Sequence, residues 1–143
     1  QMCIRDRRIG IRFPNAEVRD EIFEILHRAT NHNSVPDTTA ELDLSRVMQC
    51  MDTTDGVMAL FRHLQRTAQD CGFGEIGCFQ VGGLSDSGIT VACGVPTVCG
   101  MGVRGEGNHT PDEYAEVESL FQRSVLAACA AYTLNDDFAK AAE

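Results

Sequence analysis

Three groups of residues in this 143-residue chain have types and spacings that suit chemistry. The first is the run Val81-Gly82-Gly83-Leu84-Ser85-Asp86-Ser87-Gly88. An apolar stretch feeding a glycine pair and then a Ser-Asp helix start exposes backbone N–H groups at the positive end of a helix, a place for an anion or a substrate carboxylate. The same pattern also serves as a plain tight turn. It lacks the lysine of a phosphate loop and the spacing of a dinucleotide fingerprint, which argues against nucleotide binding. The second is His109, which follows a loop containing Gly100, Gly102, Gly105 and Gly107 and precedes Pro111. Loops at strand ends of α/β proteins point into the crevice where function concentrates. A neutral imidazole there suits a metal, with Glu106, Asp112 or Glu113 as supporting carboxylates; a solvated or capping histidine is the plainer alternative. The third is the set of seven cysteines, scattered with no Cys-x-x-Cys pair. We expect reduced thiols rather than a disulfide framework. Cys93, Cys99 and His109 invite a zinc cluster, but an apolar helix end for Cys93 and a core strand for Cys99 make packing the better account. His27, His32 and His63 sit on helix faces or in a polar loop.

The elements that must position these residues follow from periodicity. Ile9-Gly10-Ile11-Arg12-Phe13 alternates like a half-buried strand, stopped by Pro14. Asn15 is a competent N-cap for a helix from Ala16 to about Thr30, whose Val18, Ile22, Ile25, Leu26 and Ala29 form one apolar stripe. Residues 39–48 alternate again, with Ala40, Leu42 and Leu44 between Glu41, Asp43 and Ser45, and predict a second strand. Strand–helix–strand with alternating strands implies an antiparallel sheet wet on one face. Thr53 or Thr54 then caps a helix carrying Val57, Leu60, Phe61, Leu64 and Ala68, ended by Gly72. Short buried strands are expected over 75–81 and 96–100, a helix over 87–93 ending at Gly94, and a last helix over about 117–134. This second pattern reads as an α/β layer and places a domain boundary near residue 50.

Composition sets the outer limits. Lys and Arg number 12 against 21 Asp and Glu, a net charge of −9 that would repel nucleic acid or an anionic membrane surface. With 43% apolar and 23% charged residues the chain is composed like a globular protein. No apolar run approaches the ~18 residues of a membrane span, and no apolar stretch follows the first arginines as a secretory leader requires. We therefore expect a cytoplasmic protein that binds neither nucleic acid nor membrane. Residues 1–7 have no period suited to helix or strand and resemble a translated sequencing-adapter remnant; we expect them to be a non-native leader.

Four blocks in order, Gly82-Gly83-Leu84-Ser85-Asp86, Gly94-Val95-Pro96-Thr97, Gly100-Met101-Gly102 and Gly107-Asn108-His109-Thr110-Pro111-Asp112-Glu113-Tyr114, resemble the C-terminal part of a zinc-dependent metallopeptidase and amidohydrolase family. That family comprises aminoacylase, glutamate carboxypeptidase and succinyl-diaminopimelate desuccinylase. The resemblance implies an α/β catalytic domain, of which residues 51–143 would be the C-terminal part. Residues 8–50 would be half of a ferredoxin-like lid or dimerisation domain, so that a homodimer forms through the lid of the intact protein. His109 would be a ligand in a site of two zinc ions, or other divalent metals. Gly82, Gly83 and Ser85 would line the pocket of a small-molecule substrate, an acyl-amino acid or short peptide. Arg46 would clamp the substrate carboxylate, a bidentate task suited to guanidinium, while Arg12 would have a structural role on the preceding lid strand. Leu84, Gly88 and Glu106 depart from the family pattern.

The family's chemistry also needs a His-x-Asp pair, a bridging aspartate and an adjacent Glu-Glu pair supplying the general base. This chain contains no His-x-Asp and no two adjacent glutamates. The resemblance therefore implies a fragment of a zinc-dependent hydrolase of amide bonds, inactive by itself, with the general base supplied from upstream. A non-catalytic α/β binding or dimerisation module is the alternative.

Overall fold

The computed structural model describes residues 5–81 and 84–134. The architecture is mixed, with four helices and a two-stranded antiparallel sheet, consistent with a small α/β fold. The elements are α1 (Ala16–Asn31), α2 (Asp55–Asp70), α3 (Ser87–Ala92), β1 (Gly105–Glu106), β2 (Tyr114–Ala115) and α4 (Val117–Thr133). Among the described residues no helix is long and apolar enough to cross a membrane.

The helices begin and end where local chemistry dictates. Asn15 is extended, and its side chain accepts the Val18 N–H at 2.9 Å to cap α1. Thr54 does the same for α2 through the Val57 N–H at 3.2 Å. At the far end of α2, Gly72 turns left-handed at φ 74°; its N–H donates to the Gln69 carbonyl and that of Phe73 to Ala68, both at 2.9 Å. These two bonds make a Schellman motif. Gly94 repeats it after α3, with φ 81°, Gly94 N–H on Val91 and Val95 N–H on Thr90.

The core is the seam between α2 and α4. Val57, Phe61, Leu64 and Ala68 recur at helical spacing along α2 and are buried, facing the buried Leu126 and Ala130 of α4. His63 adds a polar tie: its Nε2 lies 2.9 Å from the Ala130 carbonyl, which requires the proton on Nε2. Among the described residues the two buried hydroxyls are satisfied, Thr67 on the His63 carbonyl and Ser119 on the Glu116 carbonyl. By contrast α1 buries none of its residues, and Ile25 on its expected apolar stripe is 54% exposed. Val18, Ile22 and Leu26 of that stripe are half-buried, and polar contacts add an anchor at the helix start: the Ala16 N–H donates to Asp52, and Arg19 donates to Gln49.

The four strands expected over 9–13, 39–48, 75–81 and 96–100 are not formed; these segments are irregular or turned. Alternation says which side of a segment is apolar, not which strand will pair with it. Leu42 and Leu44 are indeed half-buried between exposed Glu41 and Asp43. However, the Asp43 carboxylate takes the Ser45 N–H at 2.8 Å, and the chain turns at 45–46 instead of continuing. In 75–81, the Ile76 carbonyl is taken by the Gln65 side chain of α2, and Phe79 stands 86% exposed. The sheet lies elsewhere, in the expected glycine-rich loop: β1 and β2 pair Gly105 with Ala115 and Glu106 with Tyr114. A Cβ at residue 105 would run into the Tyr114 carbonyl, so glycine is required for this pairing.

Candidate functional site

Ser85 lies just before α3, half-buried, with its hydroxyl 2.9 Å from that of Ser87 and 3.2 Å from the Cys99 sulfur. The Ser87 N–H also donates to it at 3.3 Å. Ser85 and Cys99 face a cavity of about 600 Å³ whose other walls include Arg12, Phe13, Gln49 and Cys50. Gly88 fixes this arrangement, because α3 approaches the backbone of Gln49 and Cys50 so closely that a Cβ at residue 88 would overlap the Gln49 carbonyl. The expected domain boundary near residue 50 falls in that shared segment, which also anchors α1.

The two thiols of the cavity are displaced in opposite directions. Hydrogen bonds from Ser85 and then Ser87, with a smaller contribution from the Gly100 backbone, hold the Cys99 thiol below its ordinary range against the opposing effect of burial. Cys50 is pushed up, first by burial and then by donating to the Asp52 carboxylate at 3.4 Å. Cys99 was expected in a core strand; it is exposed and outside any strand, as is Cys93 at the C-cap of α3. The hydroxyl pair and the sulfur are brought together over fourteen residues by the α3 turn, and no local pattern in the sequence signals that contact.

His109 is at the tip of the β1–β2 hairpin, exposed, with φ 66°. Left-handed backbone is uncommon outside glycine, and histidine is among the residues that tolerate it. The turn is tightly held: Thr110 donates its N–H and its hydroxyl to the Gly107 carbonyl at 3.0 and 2.7 Å, and Gly107 is itself left-handed at φ 74°. Behind the hairpin, Arg104 and Glu116 join through reciprocal backbone and side-chain contacts, and the Arg104 N–H donates to the buried Ser119 hydroxyl.

Ser85 is therefore on the cavity wall, while neither His109 nor Arg46 lines it. Arg46 is exposed in the turn at 45–46. Gly82 and Gly83 lie outside the described residues. Arg12, expected to be structural, is on the cavity wall. A second, shallower depression of about 320 Å³ between Arg62, Arg66 and Glu75 contains no expected site residue. Among the described residues no group of three or more His, Cys, Asp and Glu is arranged to hold a metal ion.

Comparison with known proteins gives no match, whether to a family model, a curated protein or a solved structure.

Proposed function

We propose that this chain is the substrate-binding and single-ligand portion of a cytoplasmic zinc-dependent hydrolase of amide bonds in acyl-amino acids or small peptides. The observation that carries this reading is His109: a left-handed, solvent-facing histidine, held by a hydrogen-bonded hairpin tip inside the motif Gly107-Asn108-His109-Thr110-Pro111-Asp112. Backbone held in a sparsely populated region by its surroundings is a reason to look for function. The finer fold assignment, a C-terminal part of a zinc-peptidase domain after half of a ferredoxin-like lid, belongs to the same proposal.

The described residues do not by themselves fit a metal. Catalytic zinc takes about three protein ligands, and one imidazole is offered here. The remaining donors, and the base that accepts the proton of water, have to come from outside the described residues. What this chain contributes is an imidazole presented on a short hairpin, a Ser85 hydroxyl on a cavity wall, and Arg46, exposed in the turn at 45–46, for the carboxylate of the substrate.

The test is the reading frame upstream of residue 8. It is expected to encode a His-x-Asp pair and adjacent glutamates, and in that longer protein His109→Ala should abolish zinc-dependent hydrolysis of acyl-amino acids or dipeptides. A start codon immediately before Ile9, or hydrolysis by the 143-residue chain alone, would overturn the proposal. A second reading, a non-catalytic binding or dimerisation module, is favoured by α1, which buries none of its residues fully and leaves Ile25 of its apolar face 54% exposed. Such faces mark interaction surfaces when contiguous, and a stable homodimer of the chain beginning at Ile9 would support it.

A further inference from the structure

Beyond the end of α2 the chain folds back along the helix. The Schellman turn at Gly72 stops α2, Gly74 is left-handed at φ 76°, and the Gln65 side chain donates to the Ile76 carbonyl at 3.0 Å. Residues 75–76 are thereby tied to the helix and enclose with it a depression of about 320 Å³, lined by Arg62, Gln65, Arg66, Gln69, Glu75 and Ile76. Arg62 and Arg66 stand at i and i+4 on one face of α2, about 6 Å apart along its axis. Like charges at that spacing repel. Both arginines are exposed, and among the described residues no carboxylate forms an ion pair with either. Two guanidiniums lining one concavity, in a chain of net charge −9, suit an oxyanion that accepts from both and cancels their repulsion.

Glu75 on the same wall sets a condition on that anion. Its carboxylate repels a bare oxyanion and accepts a hydrogen bond from one that carries a proton. Hydrogen phosphate meets both demands, with unprotonated oxygens for Arg62 and Arg66 and a P–O–H group for Glu75. We propose that this depression is a binding site for free inorganic phosphate. The Gln69 amide adds a neutral donor, and Gln65, engaged by Ile76, holds the wall in place. The site shares no lining residue with the cavity of Ser85 and Cys99 and does not depend on the zinc-hydrolase reading.

The experiment titrates the 143-residue chain at mildly alkaline pH and constant ionic strength with three anions of equal charge. Inorganic phosphate keeps its last proton there, whereas methyl phosphate and sulfate are bare dianions. The arginine side-chain Nε–H signals are followed by nuclear magnetic resonance. Phosphate should shift the Arg62 and Arg66 signals saturably and bind at least about fivefold tighter than either other anion, the worth of one charge-assisted hydrogen bond at an exposed site. Arg62→Gln and Arg66→Gln, conservative changes on an exposed helix face, should each weaken phosphate by about fivefold or more, and Arg28→Gln on α1 should leave it unchanged. Glu75→Gln replaces the acceptor by a side chain that also donates, and should bring sulfate to within about twofold of phosphate. Shifts that grow linearly without saturation would show ionic-strength effects alone and overturn the proposal. So would equal binding of the three anions, tighter binding of the methyl ester, or a phosphate preference that survives Glu75→Gln. The comparison of the three anions on the unsubstituted chain decides the matter even where a variant folds poorly.

Discussion

The α2–α4 seam and the cavity side of the molecule are built on different principles. In the seam, two long helices bury a continuous stripe from Val57 to Ala68 against Leu126 and Ala130. Around the cavity, irregular segments near residues 10–14, 48–51, 80–81 and 84–85 form the walls beside α3, with a hydroxyl contact between Ser85 and Ser87 and one very close backbone approach of Gly88 to Gln49. Side-chain burial holds the first region, and backbone shape and hydroxyl networks hold the second. The same substitution should therefore cost very different amounts in the two places.

The sharpest break in that comparison is truncation of apolar side chains. Leu126 is 2% exposed between the two helices, and Leu126→Ala should destabilise the chain by about 3 kcal/mol through lost burial and the cavity left behind. Ile25, an apolar residue on the expected inward stripe of α1, is 54% exposed, and Ile25→Ala should change stability by less than ~0.5 kcal/mol. Urea unfolding followed by far-ultraviolet circular dichroism measures both. Equal losses would mean that α1 is as much a part of the core as α4.

On the cavity side the sensitive positions are glycines. Gly88→Ala forces a methyl group into the Gln49 carbonyl, which belongs to backbone and cannot swing aside. The expected cost is about 1–3 kcal/mol, with loss of the α3 position that keeps Ser85 against Cys99. Gly77→Ala, in the neighbouring irregular segment with open space where the methyl would stand, is the matched control and should be neutral within ~0.5 kcal/mol. If both variants behave alike, the close approach at Gly88 is not what fixes this wall.

The difference between the regions also explains what was legible in the sequence. Helix signals are local: Asn15, Thr54, Gly72 and Gly94 act within one turn of their own positions, and all four end or begin helices as their types predict. The apolar spacing of Val57, Phe61, Leu64 and Ala68 likewise names a buried face without reference to a partner. Strands are not local. Ile9 to Phe13 and Leu42 to Leu44 alternate correctly, yet a ladder needs a second chain segment in register, and Asp43 satisfies the Ser45 N–H from its own side chain first. The pairing that does form, Gly105 with Ala115, was hidden because glycine in a loop-like stretch carries no strand propensity; its value lies in the space it leaves for Tyr114. Of the expected site, Ser85 stands beside the helix start that its sequence position indicates, His109 stands at an exposed hairpin turn and does not line the cavity, and the Cys99 contact depends on α3 folding back and has no local mark.

The finest distinction lies inside the cavity, between two thiols in one wall. Ser85, foremost, and Ser87 donate to the Cys99 sulfur and favour its thiolate, so Cys99 becomes nucleophilic at a lower pH than an ordinary cysteine. Cys50, half-buried and donating to the Asp52 carboxylate, needs a higher pH than usual. Alkylation by iodoacetamide at a series of pH values, with each site quantified by mass spectrometry, should give a Cys99 midpoint below that of Cys50. Ser85→Ala removes the strongest donor and should move the Cys99 midpoint upward, with Ser87→Ala moving it less and Cys50 unchanged in both. Coincident midpoints in the unsubstituted chain would show that the hydroxyl pair does not bind the sulfur in solution. A Cys99 midpoint indifferent to Ser85→Ala would assign its acidity to the Gly100 backbone instead.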